Sequence, residues 1–165
     1  MTVTVQKKIC MLGAFSVGKT SLVRRYVQST FSETYLTTVG VKVDKKVLEI
    51  SGRQLTLVLW DVAGEDDTTS IRMSYVRGAA AYFLVADGTR AETLNVARSI
   101  QARVTAEIGA LPYLLILNKA DLQAEWELPE IIDGLAGAVA VIRASAKTGD
   151  GVEQSFQELA QRLIA

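Results

Sequence analysis

Residues 13–20, Gly13-Ala14-Phe15-Ser16-Val17-Gly18-Lys19-Thr20, are spaced as G-x-x-x-x-G-K-[ST] and lie between a strand-like run and a helix-like one. This pattern works only where a buried strand turns directly into a helix, so it constrains the fold more tightly than any other stretch. Polyphosphate is densely anionic, and gripping it takes backbone N–H donors at close range. Glycines let the chain wrap, and the N-terminus of the following helix adds donors of its own. Ala14, Phe15, Ser16, Val17, Gly18, Lys19, Thr20 and Ser21 are therefore the candidate phosphate cradle. Lys19 is placed to reach the outer phosphates. Thr20 offers a hydroxyl to Mg²⁺, which keeps octahedral oxygen ligation and takes few protein ligands. Taken alone, the pattern also describes a glycine-rich turn with a surface lysine, and the rest of the chain has to decide.

Lys8 to Leu12 is a short apolar run of the kind expected of a parallel strand buried on both faces. A helix is predicted over Lys19 to Gln28, with Leu22, Val23, Tyr26 and Val27 inward and Arg24 and Arg25 in solvent, where they serve solubility. Ser29 to Gly40 holds no periodicity and reads as a loop able to fold back over the phosphate site. Val41 to Ile50 and Gln54 to Trp60 are strand-like, joined by a hairpin signal at Ser51-Gly52-Arg53. Asp61 follows at the C-terminal end of an apolar strand, where ligands of open α/β sheets bind, with Gly64 three positions on. Asp61 can orient a magnesium-bound water and Gly64 can offer an N–H to a terminal phosphate. Glu65 to Ser74, polar and acidic, reads as a mobile or simply solvated segment.

Further strands are predicted over Ala79 to Ala86, Tyr113 to Leu117 and Ala138 to Ile142. A helix over Ala91 to Ile108 places Ala97, Ile100, Val104 and Ile108 on one face and stops at Gly109. A short helix is expected over Pro129 to Leu135, with Pro129 in its first turn and Gly137 past its end. A last helix follows Gly149-Asp150-Gly151, with Val152, Phe156, Leu159 and Leu163 on its inner face. Trp126 caps a core edge. The strand ending at Leu117 delivers Asn118-Lys119-Ala120-Asp121. A carboxylate there can accept two hydrogen bonds from guanine, from N1–H and the exocyclic amino group, whereas adenine has no matching donor pair. In isolation these are equally the polar residues of a strand exit. Ser145-Ala146-Lys147, after the last strand, is positioned to close on the base.

Composition removes other classes. A chain of 165 residues is read as one domain, residues 1–165, and its 18 basic and 18 acidic residues cancel, which argues against binding nucleic acid or anionic membrane by bulk charge. The single cysteine, Cys10, lies between apolar neighbours and cannot form an internal disulfide, which suits a reducing compartment. No apolar run approaches the ~20 residues of a membrane helix, residues 1–8 lack a signal-peptide core, and no cysteine near the C-terminus or glycine at position 2 offers a lipid site. The expectation is a cytoplasmic monomer with no intrinsic membrane anchor.

Four motifs, each behind a strand and in order along the whole chain, resemble a small GTPase of the Ras superfamily: the phosphate loop, Asp61-x-x-Gly64, Asn118-Lys119-x-Asp121 and Ser145-Ala146-Lys147. Tyr35-Leu36-Thr37-Thr38-Val39-Gly40-Val41 and Leu59-Trp60-Asp61 resemble the Rab and Ras-like branch, as a stand-alone, non-lipidated or prokaryotic relative. The resemblance implies an α/β phosphate-loop G domain: six strands, mostly parallel with one antiparallel, and helices on both faces. It implies GTP or GDP with Mg²⁺ held by Thr20, Thr38 and Asp61. Phe31 would pack against the guanine, Tyr35 would cover the phosphates, Lys119 would lie over the base, Asp121 would select guanine and the Ala146 N–H would meet the guanine oxygen. Lys19, Thr38, Gly64 and Glu65 would carry hydrolysis. Loss of the γ-phosphate would relax loops near 31–40 and 61–76, which effectors, exchange factors and activating proteins would read.

Three departures from the family pattern bear on activity. Glu65 stands where the family usually has a water-orienting glutamine, and a carboxylate cannot donate to the transferring phosphoryl group. Phe15 stands where many members keep glycine. Phosphoryl transfer rests on positioning and electrostatics, so either change could cost on the order of tenfold or more in rate. The stretch between Asp121 and Ser145 is slightly short. The expected function is a switch with slow GTP hydrolysis; the alternative is a hydrolysis-deficient GTP-binding interaction module. An ATP-using phosphate-loop enzyme is disfavoured by Asp121.

Overall fold

The computed structural model describes residues 4–29, 40–66, 70–135 and 137–164. Six strands form one sheet in the order β2-β3-β1-β4-β5-β6, built from β1 (Thr4–Gly13), β2 (Val41–Ile50), β3 (Arg53–Val62), β4 (Ala81–Asp87), β5 (Tyr113–Asn118) and β6 (Val141–Arg143). Only β2 runs antiparallel, paired with β3 across a two-residue turn. Ser51 and Gly52 both take positive φ there, 53° and 76°, the left-handed pair that matches a hairpin's twist. The remaining pairs are parallel. The sheet is the one the family resemblance implies.

Successive strand residues point to opposite faces, which sorts the apolar residues into two cores. Ile9, Met11, Leu57, Leu59, Phe83, Val85, Leu114 and Ile116 face one side. There they meet α1 (Lys19–Gln28) and α3 (Val152–Ile164) through Leu22, Tyr26, Phe156 and Leu159. Cys10, Leu12, Tyr82, Leu84, Leu115 and Leu117 face the other, against Leu94, Ala97, Ile100 and Val104 of α2 (Glu92–Glu107). β1 and β4 are neighbours whose following helices lie on opposite faces. Their C-terminal ends therefore bound the crevice that this topology opens for a ligand.

Boundaries shift where pairing extends a strand beyond its apolar run. β1 begins at Thr4, because residues from Thr4 on pair with β3, and β6 is Val141–Arg143 rather than 138–142. The helix expected over Pro129 to Leu135 is absent. Gly134 takes φ 82° and Ile131 is 79% exposed, so the segment has neither helical backbone throughout nor a continuous apolar face. Instead Leu128 and Leu135 anchor it to the α2 core, and Arg98 Nε donates to the Asp133 carbonyl at 2.8 Å. A 3-10 turn, Gln123–Glu125, precedes it. Trp126 packs at the edge of the α2 core, lying against Gly88 so closely that a Cβ there would come within 1.9 Å of the ring. Among the described residues no helix is long and apolar enough to cross a membrane.

Phe156 is fully buried, stacks on Tyr26 with centroids 3.9 Å apart and meets Phe83 at 4.7 Å, joining both helices of its layer to the sheet. Replacing Phe156 with Ala is expected to cost about 3–5 kcal/mol of unfolding free energy, read from the midpoint of a urea titration. A loss under about 1 kcal/mol would show that this contact is not central to the core.

Candidate nucleotide site

β1 ends at Gly13, whose position against β4 leaves no room for a side chain: a Cβ would lie 2.5 Å from the Val85 carbonyl oxygen. The loop then turns through Ser16 (φ 65°) and Gly18 (φ 99°) into α1. At Gly18 two constraints coincide, because the backbone is left-handed and a Cβ would come within 2.3 Å of Asn118 Nδ2. Lys19 is buried and its Nζ donates to the Ala14 carbonyl at 3.1 Å, folding the ammonium back over the loop. Burial pushes this lysine down to about 8, with the Asp61 charge pulling it up and Arg90 pushing it further down. The charged form is thus held in a place that favours an anion.

Thr20 and Asp61 meet across the crevice, the Thr20 hydroxyl donating to Asp61 Oδ2 at 2.6 Å with Asp61 buried. Two hard oxygen donors from separate elements fit a cation that keeps most of its waters, as Mg²⁺ does. Among the described residues no group of three or more His, Cys, Asp or Glu forms a metal cage. The chain beyond Asp61 lies on the phosphate loop. The Glu65 N–H donates to Gly13 O at 3.1 Å and the Phe15 N–H donates to Glu65 O at 2.8 Å. Gly64 is pressed against Phe15, and a Cβ there would meet Phe15 Cα at 2.6 Å. The Glu65 carboxylate forms an ion pair with Arg103 of α2 and accepts from the Ile71 N–H at 3.2 Å. Phe15 itself is 41% exposed at the mouth of the loop.

At the other end β5 delivers Asn118, buried, whose side chain bonds in two directions: Nδ2 donates to Val17 O at 2.9 Å and Oδ1 accepts the Ala146 N–H at 3.2 Å. The Ser145 hydroxyl donates to Asp121 Oδ1 at 2.7 Å and so fixes the carboxylate's orientation. Lys119 takes φ 68°, uncommon for a residue with a side chain, and sends Nζ to Ser16 O at 3.3 Å and to Asp87 Oδ2 at 2.7 Å. Asp87 is fully buried at the end of β4, in register with Asn118. Burial alone would raise its pKa. Hydrogen bonds from Lys119, Thr89 and Arg90 outweigh that and hold the carboxyl below its ordinary value. Arg90 lies between Asp87 at 3.0 Å and the Phe15 carbonyl at 2.8 Å, tying the same carboxylate to the phosphate loop.

The structure thus brings the phosphate loop, Asp61, Gly64, Asn118, Lys119, Asp121 and the Ser145-Ala146-Lys147 loop together. Phe31, Tyr35 and Thr38 lie outside the described residues. Arg25, expected in solvent, instead donates from Nε to Ala146 O at 2.8 Å and from Nη2 to Lys147 O. Its place on an otherwise polar helix face gave no warning, because the partner lies 121 residues away. Asp87 was signalled: a carboxylate closing the apolar run Ala81 to Ala86 mirrors Asp61 and Asn118 at their strand ends.

Fold and site together define an α/β phosphate-loop protein in which the loops after β1, β5 and β6 meet at one end of the sheet. The Ras family sequence profile matches residues 8–165. The chain is 32% identical over 164 residues to Ras-related protein Rab-13 of Mesocricetus auratus, covering 95% of this chain and 79% of that protein. To Ras-related protein RabJ of Dictyostelium discoideum it is 31% identical over 169 residues, 99% of this chain and 66% of that one. To Ras-related protein Rab-7L1 of Rattus norvegicus it is 32% identical over 166 residues, with 95% and 81% covered. The chain belongs to the Ras family of GTP-binding GTPases.

Because the Asp87 carboxyl is held low, its contribution is complete above the unfolded value of about 3.9 and fades as pH falls through the lower folded value. Asp87→Asn is expected to cost about 2–3 kcal/mol at pH 7, less than a fully buried pair because Lys119 and Arg90 are each about a third exposed. In urea titrations the gap between the two proteins stays level from pH 7 to pH 5 and narrows below about pH 4. A gap independent of pH down to acid unfolding would mean the charge of Asp87 is not what matters.

Proposed function

We propose that this chain is a single-domain guanine-nucleotide switch that binds GTP and GDP with Mg²⁺ and hydrolyses GTP slowly. The observation that carries the reading is the Asn118 side chain, bonded at once to Val17 of the phosphate loop and Ala146 of the base loop, beside an Asp121 carboxylate oriented by Ser145. A nucleotide lying along that line has its phosphates under Gly18, Lys19 and Thr20. Its guanine N1–H and amino group face Asp121, and its 6-oxygen faces the Ala146 N–H. Buried polar groups left unpaired by adenine make the discrimination steep. Thr20, Asp61 and Thr38 would hold the magnesium, which would neutralise charge on the phosphates. Gly64 and Thr38 sense the terminal phosphate, and partners that activate, exchange or respond read the loops that carry them.

Slow turnover is supported by the pairing of Glu65. A carboxylate engaged by Arg103 and the Ile71 N–H is turned to α2, and even when released it accepts from water without donating to the phosphoryl group. The same pairing favours the second reading, a GTP-holding module without turnover.

Protein purified without added nucleotide is expected to release mainly GDP on denaturation, identified by ion-pair chromatography. Release of GTP instead selects the non-hydrolysing module, and release of neither, with no binding of added GDP, removes both. In single-turnover assays Glu65→Gln is expected to hydrolyse GTP faster than the parent by on the order of tenfold. Equal rates would show that Glu65 does not limit the reaction.

A further inference from the structure

Arg25 sits in the second turn of α1, the helix that begins at the phosphate loop, yet its guanidinium reaches the other end of the site. Nε donates to the Ala146 carbonyl at 2.8 Å and Nη2 to the Lys147 carbonyl, so one planar group holds two consecutive peptide oxygens. Arginine's fixed fork suits such a pair of acceptors, and a lysine would meet them as a single point charge. The loop it grips is closed on itself: the Gly149 N–H donates to Ser145 O at 2.8 Å and the Ser145 N–H to Asp150 O at 2.9 Å. Between these ends, the orientation of residue 146 is set by what holds its carbonyl and what meets its N–H. Arg25 takes the carbonyl, and Asn118 Oδ1 meets the N–H at 3.2 Å.

We propose that Arg25 is a positioning residue for base recognition: by fixing the carbonyls of Ala146 and Lys147 it aims the Ala146 N–H at the 6-oxygen of the purine and thereby sets how long a guanine nucleotide stays bound. The inference rests on the guanine-nucleotide reading of the site. Arg25 itself touches no part of the nucleotide. Its effect runs through the loop, and α1 makes the phosphate-binding and base-binding ends move as one body. A merely structural role, tying α1 to the loop before α3, would affect every nucleotide alike.

Three diphosphates separate these cases: GDP, inosine diphosphate, which keeps the 6-oxygen and N1–H and lacks the amino group, and 2-aminopurine riboside diphosphate, which keeps the amino group and lacks both the 6-oxygen and the N1–H. Dissociation rates are measured for the parent, Arg25→Ala and Arg25→Lys. For GDP and inosine diphosphate Arg25→Ala is expected to release on the order of tenfold faster, the scale of a lost charge-assisted bond, with Arg25→Lys between. For the 2-aminopurine nucleotide the variants and parent are expected to agree within about twofold, because there is no 6-oxygen to address. Unchanged GDP release, or equal acceleration of all three nucleotides, overturns the proposal while leaving the guanine reading intact. If the parent binds none of them, that reading fails and the proposal with it. Should Arg25→Ala not fold, Arg25→Lys, which retains the charge and the stem, carries the same comparison.

Discussion

The amide of Asn118 is the contact on which the rest of the site depends. It is buried at the end of β5 and satisfied on both sides, by a phosphate-loop carbonyl and by a base-loop N–H. A buried amide cannot leave either bond without paying desolvation, so the two loops are held at a fixed separation rather than drifting independently. The close approach has a sequence consequence at Gly18, where a side chain would collide with Asn118 as well as strain a left-handed backbone. The glycine before the lysine is thus required by Asn118 as well as by the turn into α1.

A second constraint is electrostatic. Net charge over the chain is zero, yet Lys19, Lys119 and Arg90 gather around one loop. Like charges so placed repel, and what makes the cluster tolerable is Asp87, whose buried carboxylate accepts from both Lys119 and Arg90. Those bonds also give Lys119 its reason to keep a positive φ, since the side chain is fixed at its far end. Asp87 orders the two outer cations and leaves Lys19, folded onto Ala14, to face the crevice.

The continuous apolar runs of the central strands, buried on both faces, and the helical spacing in α1, α2 and α3 were legible from the sequence, because each element carries its own core residues close together in the chain. So were the four motifs, since a strand end presents the residue that follows it to the same crevice whatever lies between. Three kinds of feature were not legible. Pro129 to Leu135 had a favourable first residue but lacked a continuous apolar face, and tertiary anchoring of Leu128 and Leu135 decided its path. Arg25 and Arg103 lie on exposed-looking helix positions, and a charged side chain gives no local sign that its partner is a loop carbonyl or a distant carboxylate. Glu65 was legible as a departure, but where its carboxylate goes depends on α2, nearly forty residues later.

These pairings give the site an asymmetric balance. Its base end is closed by satisfied bonds: Asn118 to two loops, Ser145 to Asp121, Arg25 to two carbonyls. Its phosphate end holds a lysine whose charge is depressed by burial and only partly offset by Asp61. On the proposed reading, a polyanion at the first end would pair with Lys19, whereas a base at the far end would exchange one set of bonds for another. Affinity should therefore come mostly from the phosphates and selectivity from the base, as expected where charge provides attraction and buried hydrogen bonding provides rejection. Because anything that binds only the folded state stabilises it, a bound nucleotide would add to the stability of the folded protein.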